Sequence, residues 1–479
     1  MRVTIQRTST EGNNSINTVN LQEQKSASGK PGRWLWFWLG MSGIAMISAT
    51  AGALLAVSLT SQPLMQANLS ASEAAVFGQG RISGEGLRFS ELTRPVNILV
   101  MGMSVLPHDT QNAPESLKEL GYFPQVNAFD GLADVMLLIR FNPETKKMTM
   151  LSIPRDTRID LKGHGKVKIN STNIHGGPAL TAKSVSELLG DVPIDRYVRI
   201  NVLGVAKLID ALGGVDVYVP QDMKYHDHSQ HLYIDLKKGQ QHLDGEKALQ
   251  LLRFRHDENG DIGRIQRQQI VIRALIDQVL NPGILTQIPQ ILNVVKENID
   301  TNLNVEEILA LAGFGARTNR SNLQMLMVPG RFSQPGEFDA SYWVPYRNQI
   351  RRMMAQHFDL PIDNPVATRD VNLRSLRVAI QNATGEDNIN FQPLVNQLIR
   401  SGYRNVYMAK RIGKNLEETR IIAQYGDQES AESMRGVLGF GEVRIDSTGS
   451  IGSDISIQVG QDWLKNKSLW ENLVDPVVR

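Results

Sequence analysis

The chain contains no cysteine. That excludes disulfides, thiolate nucleophiles and thiolate-zinc centres, and it leaves the compartment open. An excess of charge of one sign is missing too. The 51 Lys and Arg against 49 Asp and Glu leave a formal net charge of +2. Proteins that coat nucleic-acid phosphate carry a clear basic excess, so no nucleic acid is expected as a partner. Aromatic residues are few, yet three of the six tryptophans fall within five positions, at Trp34, Trp36 and Trp38. What is present is length and apolar content. The 479 residues allow two or three domains at ~150 residues each, and 41% apolar residues suffice for sizeable cores.

Trp34 to Thr60 is almost entirely apolar and carries no charge, long enough for a spanning helix of ~20 residues. The tryptophans suit an interfacial belt. The preceding segment holds Arg2, Arg7, Lys25, Lys30 and Arg33 against Glu11 and Glu23. The positive-inside rule then keeps the N-terminus in the cytoplasm and exports the chain beyond Thr60. The expectation is a single-pass protein of the cytoplasmic (inner) membrane, N-terminus inside, with an extracytoplasmic body. The rival is a cleaved signal peptide, opposed by the length and late start of the run. The division expected is a disordered cytoplasmic tail over 1–33, a transmembrane helix over 34–60, a Ser/Gly/Ala-rich linker over 61–92, a main domain over 93–355, a linker over 356–373, a smaller domain over 374–463 and a tail over 464–479.

The main domain reads as layered α/β, a mixed sheet with helices on both faces. Strands are expected at Val96–Met101, closed by Gly102, at Val135–Phe141, and at Met148–Ile153, the last two forming a hairpin across Asn142–Thr145. The continuous apolar run of Val135–Phe141 is what a strand buried on both faces requires. Residues 104–131 read as a loop. Gly177-Pro178 opens a helix, Asn201 caps another over Val202–Leu212, and Asp244 caps a third over Gly245–Leu252. Val215–Val219 is a strand, and a long helix covers Gly263–Val279. The smaller domain is α/β as well, with a strand near Leu376–Ile380, a helix over Phe391–Ser401, strands near Val406 and over Thr419–Tyr425, a helix over 429–437 and a strand over Ile455–Val459.

The chemistry concentrates at Leu151-Ser152-Ile153-Pro154-Arg155-Asp156-Thr157, at Arg253-Phe254-Arg255 and at Arg264-Ile265-Gln266-Arg267-Gln268. An apolar strand running into Pro-Arg-Asp fixes a guanidinium at the strand end, and a guanidinium is a planar, always-charged fork suited to phosphate. On the long helix, Ile265, Gln269, Ile272, Ile276 and Val279 are expected to face the core. Arg264, Arg267, Gln268 and Val271 share the opposite face. Clustered guanidiniums are costly without anions. Either a polyanion such as pyrophosphate neutralises them, or Asp257, Glu258 and Asp261 do so as an ion-pair cluster. Asp257 or Asp261 is also a candidate base for an acceptor hydroxyl. The run His226-Asp227-His228-Ser229-Gln230-His231 and the isolated His164 read as polar turns, and His175 as structural or lining the site.

These segments resemble the LytR-CpsA-Psr family of membrane-anchored glycopolymer transferases. The likeness runs in order through Asn97–Gly102, Asp134–Leu138, Ser152–Thr157, Lys168-Ile169-Asn170, Gly176-Gly177-Pro178, Leu212–Val215, Gln241–Leu249, Arg253–Arg255 and Gly263–Gln268. From Val378 to Gly385 the smaller domain looks like the LytR C-terminal domain. The resemblance implies transfer of a polyprenyl-pyrophosphate-linked glycan, with one phosphate, onto peptidoglycan or another envelope acceptor, the lipid lying in an apolar tunnel. It implies that Arg155, Arg253, Arg255, Arg264 and Arg267 hold the pyrophosphate with support from Gln268, Lys168 and Asn170. It also implies Mg²⁺ at Asp134. The family's first-strand Asp is replaced here by Ser104, so metal use rests on Asp134 alone or on Asp134 with Asp109 or Asp130 compensating from the loop. Mg²⁺ tolerates this because it commonly keeps several waters. Binding or hydrolysis of lipid pyrophosphate without transfer is the first alternative, and transcriptional attenuation the second.

Overall fold

The computed structural model describes residues 67–84, 91–103, 129–227, 232–254, 260–281, 283–361, 373–413 and 415–465. The tail and span expected over 1–60 lie outside these residues, as do Ser104, Asp109, Arg255, Asp257 and 466–479. So do the side chains of Asp261 and Arg264. Among the described residues no helix is long and apolar enough to cross a membrane.

The main sheet has six strands: β1 (Val96–Met103), β2 (Ala133–Asn142), β3 (Lys147–Ser152), β4 (Arg196–Ile200), β5 (Ile299–Thr301) and β6 (Leu323–Met327), in the order β5-β4-β1-β2-β3-β6. β1–β4 and β3–β6 are parallel, and the other pairs are antiparallel. The sheet is therefore mixed. Alternation sorts its side chains. Leu99, Met101, Met136, Leu138 and Leu151 join one core, whereas Val96, Ile98, Leu137, Met148 and Met150 join another. Both faces are apolar, so both need helices.

Helices α1 (Thr172–Leu188), α2 (Val202–Ala211), α3 (Gly245–Arg253), α4 (Gly260–Val279), α5 (Ile284–Asn298), α6 (Val305–Arg317) and α7 (Arg347–Phe358) follow β3 and alternate with the later strands. α1 and α7 cover the first face through residues such as Val185, Leu188, Met353 and Phe358. α4 and α6 cover the second through Ile276, Ala310 and Phe314. α1 carries one helical turn ahead of the expected start. It kinks at Gly176 and at Gly177, whose φ is +60°, and resumes at Pro178. α2 and α3 are capped as expected, the Asn201 and Asp244 side chains accepting from Gly204 N and Lys247 N. A third core lies under the paired strands Val215–Val219 and Gly239–Leu243 and the hairpin Met223–Asp227/Leu232–Leu236. His226 and Asp227 thus belong to a strand rather than a turn.

Two boundaries differ from expectation. In the stretch expected as a linker over 61–92, the described residues pack on the body. Ser70 and Glu73 form a capping box for a helical turn at Ala71–Ala74, the Phe77 ring lies 5.0 Å from Tyr197, and Ile82 is fully buried. Small polar residues dominate this stretch, so composition hides its two apolar anchors. At the other end, α7 continues past 355, because Phe358 is buried in the first core.

The second sheet contains β7 (Arg377–Asn382), β8 (Asn405–Met408), β9 (Arg420–Ala423), β10 (Glu442–Ile445) and β11 (Ile455–Val459), in the order β8-β7-β11-β9-β10. Helices α8 (Gln392–Arg400) and α9 (Gln428–Leu438) pack on it around Leu394, Leu398, Met434 and Trp463. This unit is held to the first. Gln269 Nε2 donates to Ser447 Oγ at 2.8 Å, Arg273 pairs with Asp446, and Tyr218 Oη donates to Gly413 O at 2.6 Å.

Those contacts alter the expected faces of α4. Gln269 meets the second unit instead of the core. Val271 packs in the third core, which also takes Ala274, while Ile276 packs in the sheet core. The helix is covered on several sides, so a two-face division cannot describe it.

Candidate functional site

β3 leaves the sheet at Pro154, and the next four residues are a hydrogen-bonded turn. Thr157 N and Oγ1 both donate to Pro154 O, at 2.9 and 2.6 Å. Trp343 N donates to Asp156 O at 2.9 Å, tying the turn to a distant segment. Arg155 therefore sits at a rigid strand end, as its sequence context predicts.

Its neighbours alternate in charge. Arg155 NH1 donates to Asp134 Oδ1 at 2.8 Å, and Arg155 Nε lies 3.5 Å from Asp156 Oδ2. Lys168 Nζ is 2.8 Å from Asp156 Oδ1. Asp134 begins β2 and Lys168 ends a short strand at Gly165–Lys168, so three separate elements supply one chain of charges. Asn170 is buried, and its N–H donates to Arg155 O at 3.2 Å. Lys168 and Asn170 hold the Arg155 turn from below.

α4 brings Gln268 to the same place. A cavity of about 20 Å³ is lined by Asp134, Arg155, Asp156, Gln268 and Trp343. That volume holds roughly one water, so pyrophosphate requires the mouth of this cavity or a shift of its walls. Arg267, the preceding residue, points elsewhere. It is 2% exposed, its NH2 donates to Phe254 O at 2.6 Å, and its guanidinium stands 5.5 Å from the Phe254 ring. It lines a different, larger cleft. Arg253 ends α3, half-buried. The chain is extended at Phe254, as a common direction for Arg253 and Arg255 demands.

A buried network braces the approach to Asp134. Arg199 and Asp300 are 4% and 0% exposed and lie 2.7 Å apart. Arg199 NH1 and Asn173 Nδ2 donate to Phe129 O, at 3.1 and 2.7 Å, and Asn173 Nδ2 donates to Gly131 O at 2.8 Å. Burial, with the Asp300 carboxylate beside it, holds the Tyr197 phenol far above its usual range. Sequence reasoning missed these residues, because Arg199, Asp300 and Asn173 are single polar positions spread over more than a hundred residues. Trp343 was missed for a similar reason. The His164 and His175 rings are in contact, centroids 4.1 Å apart and planes tilted by 39°, and neither lines the Arg155 cavity.

Asp134 fits Mg²⁺ as a single hard ligand. One oxygen takes Arg155, and the other has no hydrogen-bond partner among the described residues. No group of three or more His, Asp or Glu placed to hold a metal occurs among the described residues, so phosphate and water would supply most of the shell.

The chain matches the model of the LytR_cpsA_psr family over residues 64–359. A second model, described as LytR cell envelope-related transcriptional attenuator, matches residues 375–463. Polyisoprenyl-teichoic acid--peptidoglycan teichoic acid transferase TagV of Bacillus subtilis (strain 168) is 34% identical over 248 residues, 50% of this chain and 63% of that protein. The like-named TagU of Oceanobacillus iheyensis is 35% identical over 204 residues, 41% of this chain and 62% of that protein. The chain thus spans less than two thirds of each of these relatives. The crystal structure of B. subtilis TagV is 30% identical, covers 56% of this chain and 99% of its own, and superposes with a TM-score of 0.46.

Proposed function

Because this chain belongs to the LytR-CpsA-Psr family, we propose that it transfers a glycopolymer, with one phosphate, from a polyprenyl-pyrophosphate carrier onto peptidoglycan or another envelope acceptor. The carrying observation is the guanidinium of Arg155 at a rigid strand end, aligned by Asp134 and Asp156 beside Gln268. Phosphoryl transfer needs positioning and charge neutralisation more than covalent chemistry. Arg155 supplies a fork whose orientation is set before substrate arrives, and Lys168 keeps Asp156 from competing for the incoming anion.

In this reading Arg155, Arg253, Arg255 and Arg264 neutralise the pyrophosphate and Gln268 supports it, whereas Arg267, expected to join them, is held by the Phe254 carbonyl and lines the larger cleft. Asp134 holds Mg²⁺, which supplies Lewis-acid neutralisation of phosphate oxygens when bound. Asp257 or Asp261 accepts the proton of the acceptor hydroxyl. The acceptor oxygen forms a bond to the sugar-side phosphorus while the bond to the bridging oxygen breaks, leaving polyprenyl phosphate. The protein is anchored in the cytoplasmic membrane by residues 34–60, with its body outside.

The test is transfer itself. Full-length protein in detergent is given a polyprenyl-pyrophosphate glycan and peptidoglycan. Glycan phosphate bound to peptidoglycan, lost in the Arg155→Ala protein, is the expected result. Glycan phosphate released only into solution supports hydrolysis instead, and no consumption of the donor removes the enzymatic reading.

A further inference from the structure

We propose that the cleft between the two sheet-bearing units binds an anionic glycan chain. For the identity of that glycan the inference rests on the transfer reading above; its chemistry is read from the cleft alone. The cleft encloses about 1700 Å³, room for several sugar units where the Arg155 cavity holds one water.

Its walls choose the ligand class. Nine Lys and Arg against four Asp and Glu line it, with eight glutamines among them. Arg273, Arg320, Arg411 and Arg444 are ion-paired, whereas Lys147, Lys238 and Arg420 carry no ion pair among the described residues. The basic residues come from both units. Lys238 and Arg273 lie on the first, and Lys410, Arg420 and Arg444 on the second. The positive field is therefore complete only where the units meet. Arg420 is half-buried with no hydrogen-bonded or ion-paired carboxylate among the described residues. Burial, then the nearby Arg444, and less strongly Arg273, disfavour its charge, and the Glu442 and Asp446 carboxylates offset this only in part. Like charges gathered in a partly desolvated cleft call for an anion.

Amide side chains supply both donors and acceptors, the complement of sugar hydroxyls. Tyr218 is the sole aromatic among the lining residues, so the cleft lacks the stacking platforms on which single-stranded nucleic acids lie. The charged and amide groups on its walls oppose a lipid chain, which would leave them desolvated without partners. The link to the Arg155 site is α4. Arg267 lines the cleft and Gln268, the next residue, lines the cavity. A glycan in the cleft thus ends about one helix diameter, ~10 Å, from Arg155.

Full-length protein in detergent is titrated with fluorescent dextran phosphate and with neutral dextran, polyphosphate and a DNA oligonucleotide of similar length. Dextran phosphate should bind with an affinity that falls as salt rises, at least tenfold more tightly than neutral dextran or polyphosphate, and more tightly than DNA. The Arg420→Gln/Lys238→Gln protein should bind it at least tenfold more weakly at an unchanged melting temperature. The single Lys238→Gln change, at an exposed site, should give a smaller loss and guards against misfolding of the double variant. No binding of dextran phosphate overturns the inference. So does equal binding by the variants, by neutral dextran or by polyphosphate, and tighter binding of DNA replaces the glycan with a nucleic acid. Binding needs no turnover, so a protein that binds dextran phosphate but fails the transfer assay sinks the enzymatic reading alone.

Discussion

Arg155 NH1 donates to Asp134 Oδ1 at 2.8 Å, joining the turn after β3 to the start of β2. The carboxylate orients the guanidinium and takes it as a counter-ion in the absence of substrate. Asp134 therefore acts twice in the proposed reaction, through Arg155 and as the metal ligand.

Asp134→Asn should lower single-turnover transfer by about 10²-fold, as expected for a misplaced catalytic fork, and should shift the Mg²⁺ titration to higher concentration. Arg155→Lys should lose a comparable amount with an unchanged Mg²⁺ titration, since an ammonium cannot replace the bidentate fork. Equal metal titrations for wild type and Asp134→Asn would remove Asp134 from the metal site.

Arg267→Ala should cost about 1–3 kcal/mol of stability, because Phe254 O loses a buried donor, on top of the lost packing on the Phe254 ring. Urea unfolding of the full-length protein in detergent measures this. Loss of transfer in this variant must be read at a temperature where it remains folded. A wild-type unfolding midpoint would show that the contact with Phe254 contributes nothing.

Asp300→Asn should destabilise the fold by about 3–5 kcal/mol, since it leaves the Arg199 charge buried without compensation. Hydrogen exchange should speed up around 129–131, whose carbonyls the Arg199–Asn173 network holds. Replacing both Arg199 and Asp300 by apolar residues of similar volume should recover much of the loss.

His357 joins the two units, its Nδ1 lying 3.1 Å from Gln324 Oε1 and its Nε2 3.0 Å from Gly426 O. Burial pushes its pKa below the ordinary 6.5, helped by the nearby Lys147 and opposed by the Gly426 carbonyl. Between the folded and unfolded values the unfolded chain binds more protons, so the contribution is complete above about pH 6.5 and falls as pH drops below it. The slope should reach at most about 1.4 kcal/mol per pH unit. Urea midpoints at pH 8 and pH 5 check this, and His357→Gln should flatten the difference.

Ser447→Ala should loosen α4 through Gln269, whose side chain it accepts from. A double-mutant cycle with Gln269→Ala should give a coupling of about 0.5–1.5 kcal/mol. A coupling of zero would show that this bond carries nothing between the units.

The sequence by itself determined what is written in consecutive residues. The runs at Val96, Val135 and Met148 specify strands, and the continuous run at Val135 a strand buried on both faces, because period and apolarity are local properties. Asn201 and Asp244 specify helix starts, because a cap acts within three residues. Pro154-Arg155 places a guanidinium at a strand end for the same reason. Only the tertiary structure decided what depends on distant pairing. Arg267 and Gln268 share a predicted face, yet they line different cavities, because α4 is covered on several sides by cores and by the second unit. The Arg199–Asp300 pair spans 101 residues, and the basic cleft needs side chains from both sheets. Such partners are set by how layers pack, and no local pattern of apolar and polar residues records which polar group will meet which.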